Sequence, residues 1–259
     1  MRGRALLVGL AALTALLAPV TASSALAERL QLATRPGVTV TVDLREAEDA
    51  IALLLLFEGG GGKFKKGSSG FAHLAHDRFG ARGIATALVD APSDQRGFRG
   101  GMHPDFRLTD DHLADIDAVI AALRARSGLP VWVLGISLGT RSAAWYAVQR
   151  PDRVAGVVLL SSSTASPRGR PVYSFPLQVL SVPLLAVVHE QDACRTTPPQ
   201  GAHRIVAAAG GAPAAEVKTF SGGRNVGRDP CGTRTHHTFF GIEDEVVAAI
   251  AAFIADHSS

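Results

Sequence analysis

The chain has 259 residues, 47% of them hydrophobic and 19% charged, with a formal net charge of +3. That is enough apolar material for one domain with a sizeable core, and too little excess charge to argue for a nucleic-acid or membrane-surface partner. Two cysteines, Cys194 and Cys231, exclude a cysteine-rich metal site or a dense disulfide scaffold.

The first residues read MRGRALLVGLAALTALLAPVTASSALA. Two arginines precede an apolar run, and small residues end at Ala25-Leu26-Ala27, the pattern of a secretory signal peptide cleaved near Ala27. The apolar run is too short to span a bilayer comfortably, so no stable membrane insertion is expected. The mature chain is then a single domain, residues 28–259, and removing Arg2 and Arg4 with the leader lowers its formal charge from +3 to +1. Export to the periplasm or beyond makes a disulfide between Cys194 and Cys231 the natural state of the two thiols.

Residues 39–44 (TVTVDL) alternate as a strand, and 50–58 (AIALLLLFE) form a continuous apolar run that reads as a buried strand ending in glycines. A helix follows over 69–82, a buried strand over 83–92, and an amphipathic helix over 109–126 with acidic residues in its first turn. PVWVLG is a strand, and LGTRSAAWYAVQRP a helix that stops at Pro151. VAGVVLLSS and VPLLAVVHEQ are strands, IVAAA a short helix, EVKTF a strand, and 243–255 the closing helix. An early hairpin-like pair precedes this alternation. The pattern predicts an α/β fold: a three-layer α/β/α sandwich with a mostly parallel central sheet, its ligands bound beyond the carboxyl ends of the strands.

Between PVWVL and the next helix lies Gly135-Ile-Ser137-Leu-Gly139. In a chain with 27 glycines the G-x-S-x-G pattern is weak by itself. Its strand–turn–helix setting is what a nucleophile elbow requires. A serine needs a base, and the base a carboxylate, later in the chain in that fold. Asp192 stands just past the VPLLAVVHE strand, with Glu190 the alternative acid, while the preceding strand ends in SSSTASP without a carboxylate. Of the later histidines, His203 is expected on a helix and His257 in the tail. His236 and His237 sit in the loop before the last helix, where a base would face the serine. His237 is favoured because it adjoins the apolar turn into that helix, and His236 stays open.

With GISLG, Asp192, His237 and the strand order, the sequence resembles the α/β-hydrolase superfamily over essentially residues 30–258. It is nearer to compact, capless bacterial exported members, since 161–181 is too short for a helical lid. The resemblance implies a serine hydrolase in which Ser137, His237 and Asp192 act as nucleophile, base and orienting acid on an acyl ester. A peptidase or amidase on the same triad is the alternative, and a non-catalytic binding protein on this fold a more distant one. It also implies an oxyanion hole from the N–H of Leu138 and one from the loop Glu58-Gly59-Gly60-Gly61-Gly62, with Gly60 the favoured donor and Glu58 where the family often has histidine. A small acyl substrate, with no cofactor, metal or nucleic acid, follows. In that fold Cys194 and Cys231 flank one site, and a bridge would join the acid loop to the histidine loop.

The remaining candidates read as structure. Phe57 and Phe64 break the phosphate-loop pattern around Lys63, and Lys63, Lys65 and Lys66 read as a solvated loop. His103, Asp105, Asp110, Asp111 and His112 lack tight ligand spacing, so capping and solvation are expected rather than a metal. The loop 90–112 follows a strand end and is expected to border the cleft. There Arg96, Arg99 and Arg107 could meet an acidic substrate, and Phe98 and Phe106 an acyl group, although a solvated loop fits as well. Phe239 and Phe240 read as core.

Overall fold

A computed structural model describes residues 27–64, 68–98, 100–165 and 169–258. Apart from Ala27, the signal-peptide segment lies outside the described residues, as do Lys65, Lys66 and Arg99. Among the described residues no helix is long and apolar enough to cross a membrane.

The apolar runs become the middle of one eight-stranded sheet, in the order β1-β2-β4-β3-β5-β6-β7-β8. The strands are β1 Ala27–Arg35, β2 Val38–Arg45, β3 Ala52–Phe57, β4 Ile84–Val89, β5 Val131–Ile136, β6 Gly156–Leu160, β7 Leu184–His189 and β8 Ala215–Phe220. From β4 to β8 every pairing is parallel, while β1 and β2 are antiparallel. The hairpin at the start is therefore β1 with β2. β1 is absent from the pattern reading because it is an edge strand whose side chains are mostly solvated, so it carries no apolar run. β3, β4, β5, β6 and β7 are buried at every position, as strands covered on both faces must be.

Five helices supply the cover: α1 Phe71–Gly80, α2 Asp110–Ser127, α3 Gly139–Gln149, α4 Gly201–Ala208 and α5 Glu243–Asp256. α1 and α5 bury Phe71, Phe79, Val246 and Ile250 against one face. α2, α3 and α4 bury Ile116, Ala143 and Ile205 against the other. α2 starts on a capping Thr109 hydroxyl, which accepts the His112 N–H, and stops at Gly128 in the left-handed conformation. Each crossover returns the chain to the amino edge of the sheet, so the parallel strands all end at the carboxyl edge, where the loops after β3, β5, β7 and β8 gather.

Two histidines inside these layers make the fold sensitive to acid. His76 is 3% exposed and bonds Thr86 Oγ1 at 2.7 Å; His112 is 2% exposed. Burial, reinforced by the charges of Arg45 and Arg107 respectively, pushes His76 down to about 4 and His112 to about 3. An unfolded chain takes up these protons near pH 6.5, whereas the native protein does not. Stability is thus full above that pH and falls below it, by up to about 1.4 kcal/mol per pH unit for each group. Urea unfolding at pH 7 and pH 5 measures this, with a lower midpoint expected at pH 5. Equal midpoints would contradict neutral burial of both rings.

Candidate active site

Ser137 follows β5 and precedes α3 with φ +55°, a backbone conformation that a non-glycine residue rarely adopts. Its N–H is held by Leu160 O at 3.0 Å, and its carbonyl accepts the Thr140 N–H at 3.1 Å. The turn is this tight because its flanking residues have no side chains. A Cβ on Gly135 would lie 2.3 Å from Gly139 O, and one on Gly139 would lie 2.1 Å from Phe57 O. Gly139→Ala is accordingly expected to cost about 3 kcal/mol or more, because it is backbone that would have to move. Chemical denaturation checks this, and an unchanged midpoint would mean that the elbow is looser than these distances.

The loop after β7 carries Asp192, 8% exposed, and the loop after β8 carries His237, 2% exposed. His237 Nδ1 lies 3.0 Å from Asp192 Oδ2. The carboxylate also accepts the Cys194 N–H at Oδ1 (2.9 Å) and the Thr197 hydroxyl at Oδ2 (2.9 Å). Thr197 Oγ1 is itself 3.1 Å from His237 Nδ1, so acid and imidazole share one hydroxyl between them. The Ser161 hydroxyl anchors the His237 carbonyl at 2.9 Å. With Nδ1 committed to the carboxylate, Nε2 is the nitrogen left to accept a proton. The alternatives go elsewhere. Glu190 is exposed, His236 stacks on His189 at 4.3 Å, His203 lies on α4, and His257 packs on Phe253.

Cys194 and Cys231 are joined, with Cα atoms 4.6 Å apart and a separation of 37 positions in sequence. The bridge ties the Asp192 loop to the segment leading into His237.

A cavity of about 470 Å³ opens above the sheet, lined by Glu58, Gly59, Gly60, Ser137, Cys231 and His237, among others. Leu138 stands at the N-terminal boundary of α3, the positive end of the helix dipole. Gly60 has φ +56° and occupies a turn closed by Gly62 N–H to Gly59 O at 3.0 Å. Glu58 points one oxygen to the Gly59 N–H at 2.9 Å and the other to His73 Nδ1 at 3.0 Å. The Gly59 donor is therefore occupied by its own neighbour.

The described residues of the loop 90–112 do not line this cavity as expected; they back the glycine loop instead. Met102 N–H donates to Gly61 O at 2.9 Å, and a Cβ on Gly101 would lie 2.2 Å from that same oxygen. Phe106 lies 5.6 Å from the His112 ring, and Arg96 donates to Ala91 O. Arg107 is wholly buried rather than poised for substrate, and that burial, with the Arg141 charge, pushes it down to about 9. Its place depends on carbonyls some fifty residues upstream, which no local pattern could reveal. Thr197 is likewise invisible in the sequence, since one threonine among many carries no signal of its partners. The histidines and carboxylates of this stretch take ordinary partners: Asp111 pairs with Arg35 at 3.3 Å, His112 bonds Ser142, and His103 lies 3.7 Å from Asp105. Among the described residues no cluster of His, Cys, Asp and Glu could hold a metal ion. Phe239 is buried against Phe71, and Phe240 lies beneath Arg224.

No curated protein matches the sequence. Solved structures do. The chain is similar to Est1E from Butyrivibrio proteoclasticus at 14% identity and TM-score 0.63, over 88% of this chain and 98% of that one. It is similar to the Pyrococcus furiosus esterase Pf2001 at 11% identity and TM-score 0.66, over 91% and 93%. A proline iminopeptidase from Mycobacterium smegmatis is similar at 14% identity and TM-score 0.63, over 89% and 99%. At these identities the likeness is one of fold. The alpha/beta hydrolase fold family matches residues 52–186, from the first central strand through the elbow to β7 and more than half of the 259 residues. By that match and by its sheet, the chain belongs to the α/β-hydrolase superfamily.

Proposed function

We propose that this protein is an exported serine hydrolase that cleaves a small acyl ester through an acyl-enzyme. The observation that carries the reading is a serine held at φ +55° on the wall of the cavity that His237 also lines. Ser137 Oγ attacks the acyl carbonyl while His237 Nε2 takes the hydroxyl proton. The tetrahedral oxyanion is met by the N–H groups of Leu138 and Gly60. Collapse expels the alkoxide, which leaves as the alcohol with the proton from His237. Water then adds to the acyl-enzyme, again giving its proton to His237, and the carboxylic acid departs as Ser137 recovers its hydrogen. Asp192 holds the imidazole tautomer and favours its charged form throughout.

Amide cleavage is the second reading, because the similar folds include a proline iminopeptidase as well as esterases. Fluorophosphonate labelling tests the shared chemistry: wild type should be labelled and Ser137→Ala should not. Equal uptake by both would remove the serine-hydrolase reading. A panel of nitrophenyl esters and aminoacyl amides then separates ester from amide cleavage. The disulfide supports an oxidising compartment. Amino-terminal sequencing of protein from the exported fraction should begin near Glu28, and retention of the full leader in the cytosol would contradict export.

A further inference from the structure

The glycine loop that would supply the oxyanion donor is held from behind by a buried guanidinium. Arg107 lies on the short turn Phe106–Leu108 and is 0% exposed. Its Nη2 donates to Glu58 O at 3.1 Å and to Gly60 O at 3.0 Å, and its Nη1 donates to Ser142 Oγ at 2.7 Å. Ser142 lies on α3, one turn beyond the elbow, and its hydroxyl also meets His112 Nε2 at 2.9 Å. The neighbouring ring adds no competing cation, since burial keeps His112 neutral. A Cβ on Gly62 would lie 2.7 Å from Arg107 Nη2, so the loop leaves room for the guanidinium only by lacking side chains.

In a planar trans peptide the carbonyl and the following N–H point in opposite directions. Fixing Glu58 O and Gly60 O therefore fixes the peptide planes on either side of the plane that carries the Gly60 N–H. The same guanidinium grips the helix that begins at the nucleophile. One side chain thus sets both the aim of the loop and its distance from Ser137.

We propose that Arg107 is the positioning residue of the oxyanion loop, bridging the Glu58 and Gly60 carbonyls to the nucleophile helix through Ser142. It does so with a two-pronged fork that a lysine cannot reproduce. The inference rests on the assignment of Ser137 as nucleophile and Gly60 as donor.

The test uses the full chain as wild type, Ser137→Ala, Arg107→Met and Arg107→Lys, with nitrophenyl acetate and butyrate as substrates. End-point fluorophosphonate labelling counts competent sites, so every kcat is expressed per labelled serine. Arg107→Met is expected to lower kcat per site about 100-fold with KM changed less than about threefold, as for loss of an interaction made only in the transition state. Arg107→Lys keeps the charge without the fork and is expected about tenfold below wild type. A role confined to folding would leave fewer labelled sites working at the wild-type rate, and that result overturns the inference. If Arg107→Met does not fold, Arg107→Lys decides alone, and a wild-type kcat per site there overturns it equally. Wild type without Ser137-dependent labelling removes the nucleophile assignment and this inference with it. Active wild type with unaltered Arg107 variants removes this inference only.

Discussion

Asp192→Asn is expected to lower kcat/KM by about 10⁴-fold while the protein stays folded. Three donors converge on this carboxylate: the Cys194 N–H on Oδ1, and the Thr197 hydroxyl and His237 Nδ1 on Oδ2. An amide has one acceptor and one donor end, so it cannot satisfy them all. If the amide oxygen faces Cys194, its NH₂ meets the imidazole and forces the proton onto Nε2, which destroys the base. If the amide is turned round, its NH₂ opposes the buried Cys194 N–H, an uncompensated clash of donors. The first arrangement is the less costly, and it is the one that silences the histidine. His237→Ala should lose at least as much, because no other imidazole reaches the carboxylate among the described residues. The measurements are kcat/KM on a nitrophenyl ester and thermal unfolding of each variant. An Asp192→Asn enzyme within tenfold of wild type would sink the assignment of the acid.

The second large effect falls on stability. Cross-linking residues 37 apart restricts the unfolded chain by about 4 kcal/mol in the loop-entropy account. The Cys194→Ala/Cys231→Ala double variant should therefore melt about 10 °C lower. Activity should suffer too, and more than the melting temperature alone explains. Cys194 offers its N–H to Asp192, and Cys231 lines the cavity, so the bridge spans the two segments that must stay in register. The expected result is a lower kcat at temperatures where the double variant is still fully folded. A melting temperature within about 2 °C of wild type would show that the two loops are held by packing alone.

The parts of the fold legible in the sequence are those where local pattern and burial coincide. The apolar run of β3 has the same appearance in any chain that buries a strand on both faces. β1 escapes because an edge strand in solvent has no such signature. For the candidate site, chain order nominates Asp192 and His237, and they meet across 45 residues at hydrogen-bond distance. Order works here because the fold returns each loop to the same sheet edge. Arg107 is the contrary case. A charged residue in a polar loop reads as solvated, and the arrival of Glu58 O, Gly60 O and Ser142 Oγ makes its burial tolerable. Thr197 is similar: its hydroxyl matters through Asp192 and His237, the latter 40 residues away.

The φ of +55° at Ser137 carries one more consequence. A side chain held there costs on the order of 1 kcal/mol, which a glycine would not incur. Ser137→Gly should therefore yield a hardier protein, with a higher denaturation midpoint and no hydrolysis. Persistence alone would favour glycine here, so on the proposed reading a serine at this conformationally unfavourable position trades durability for reactivity.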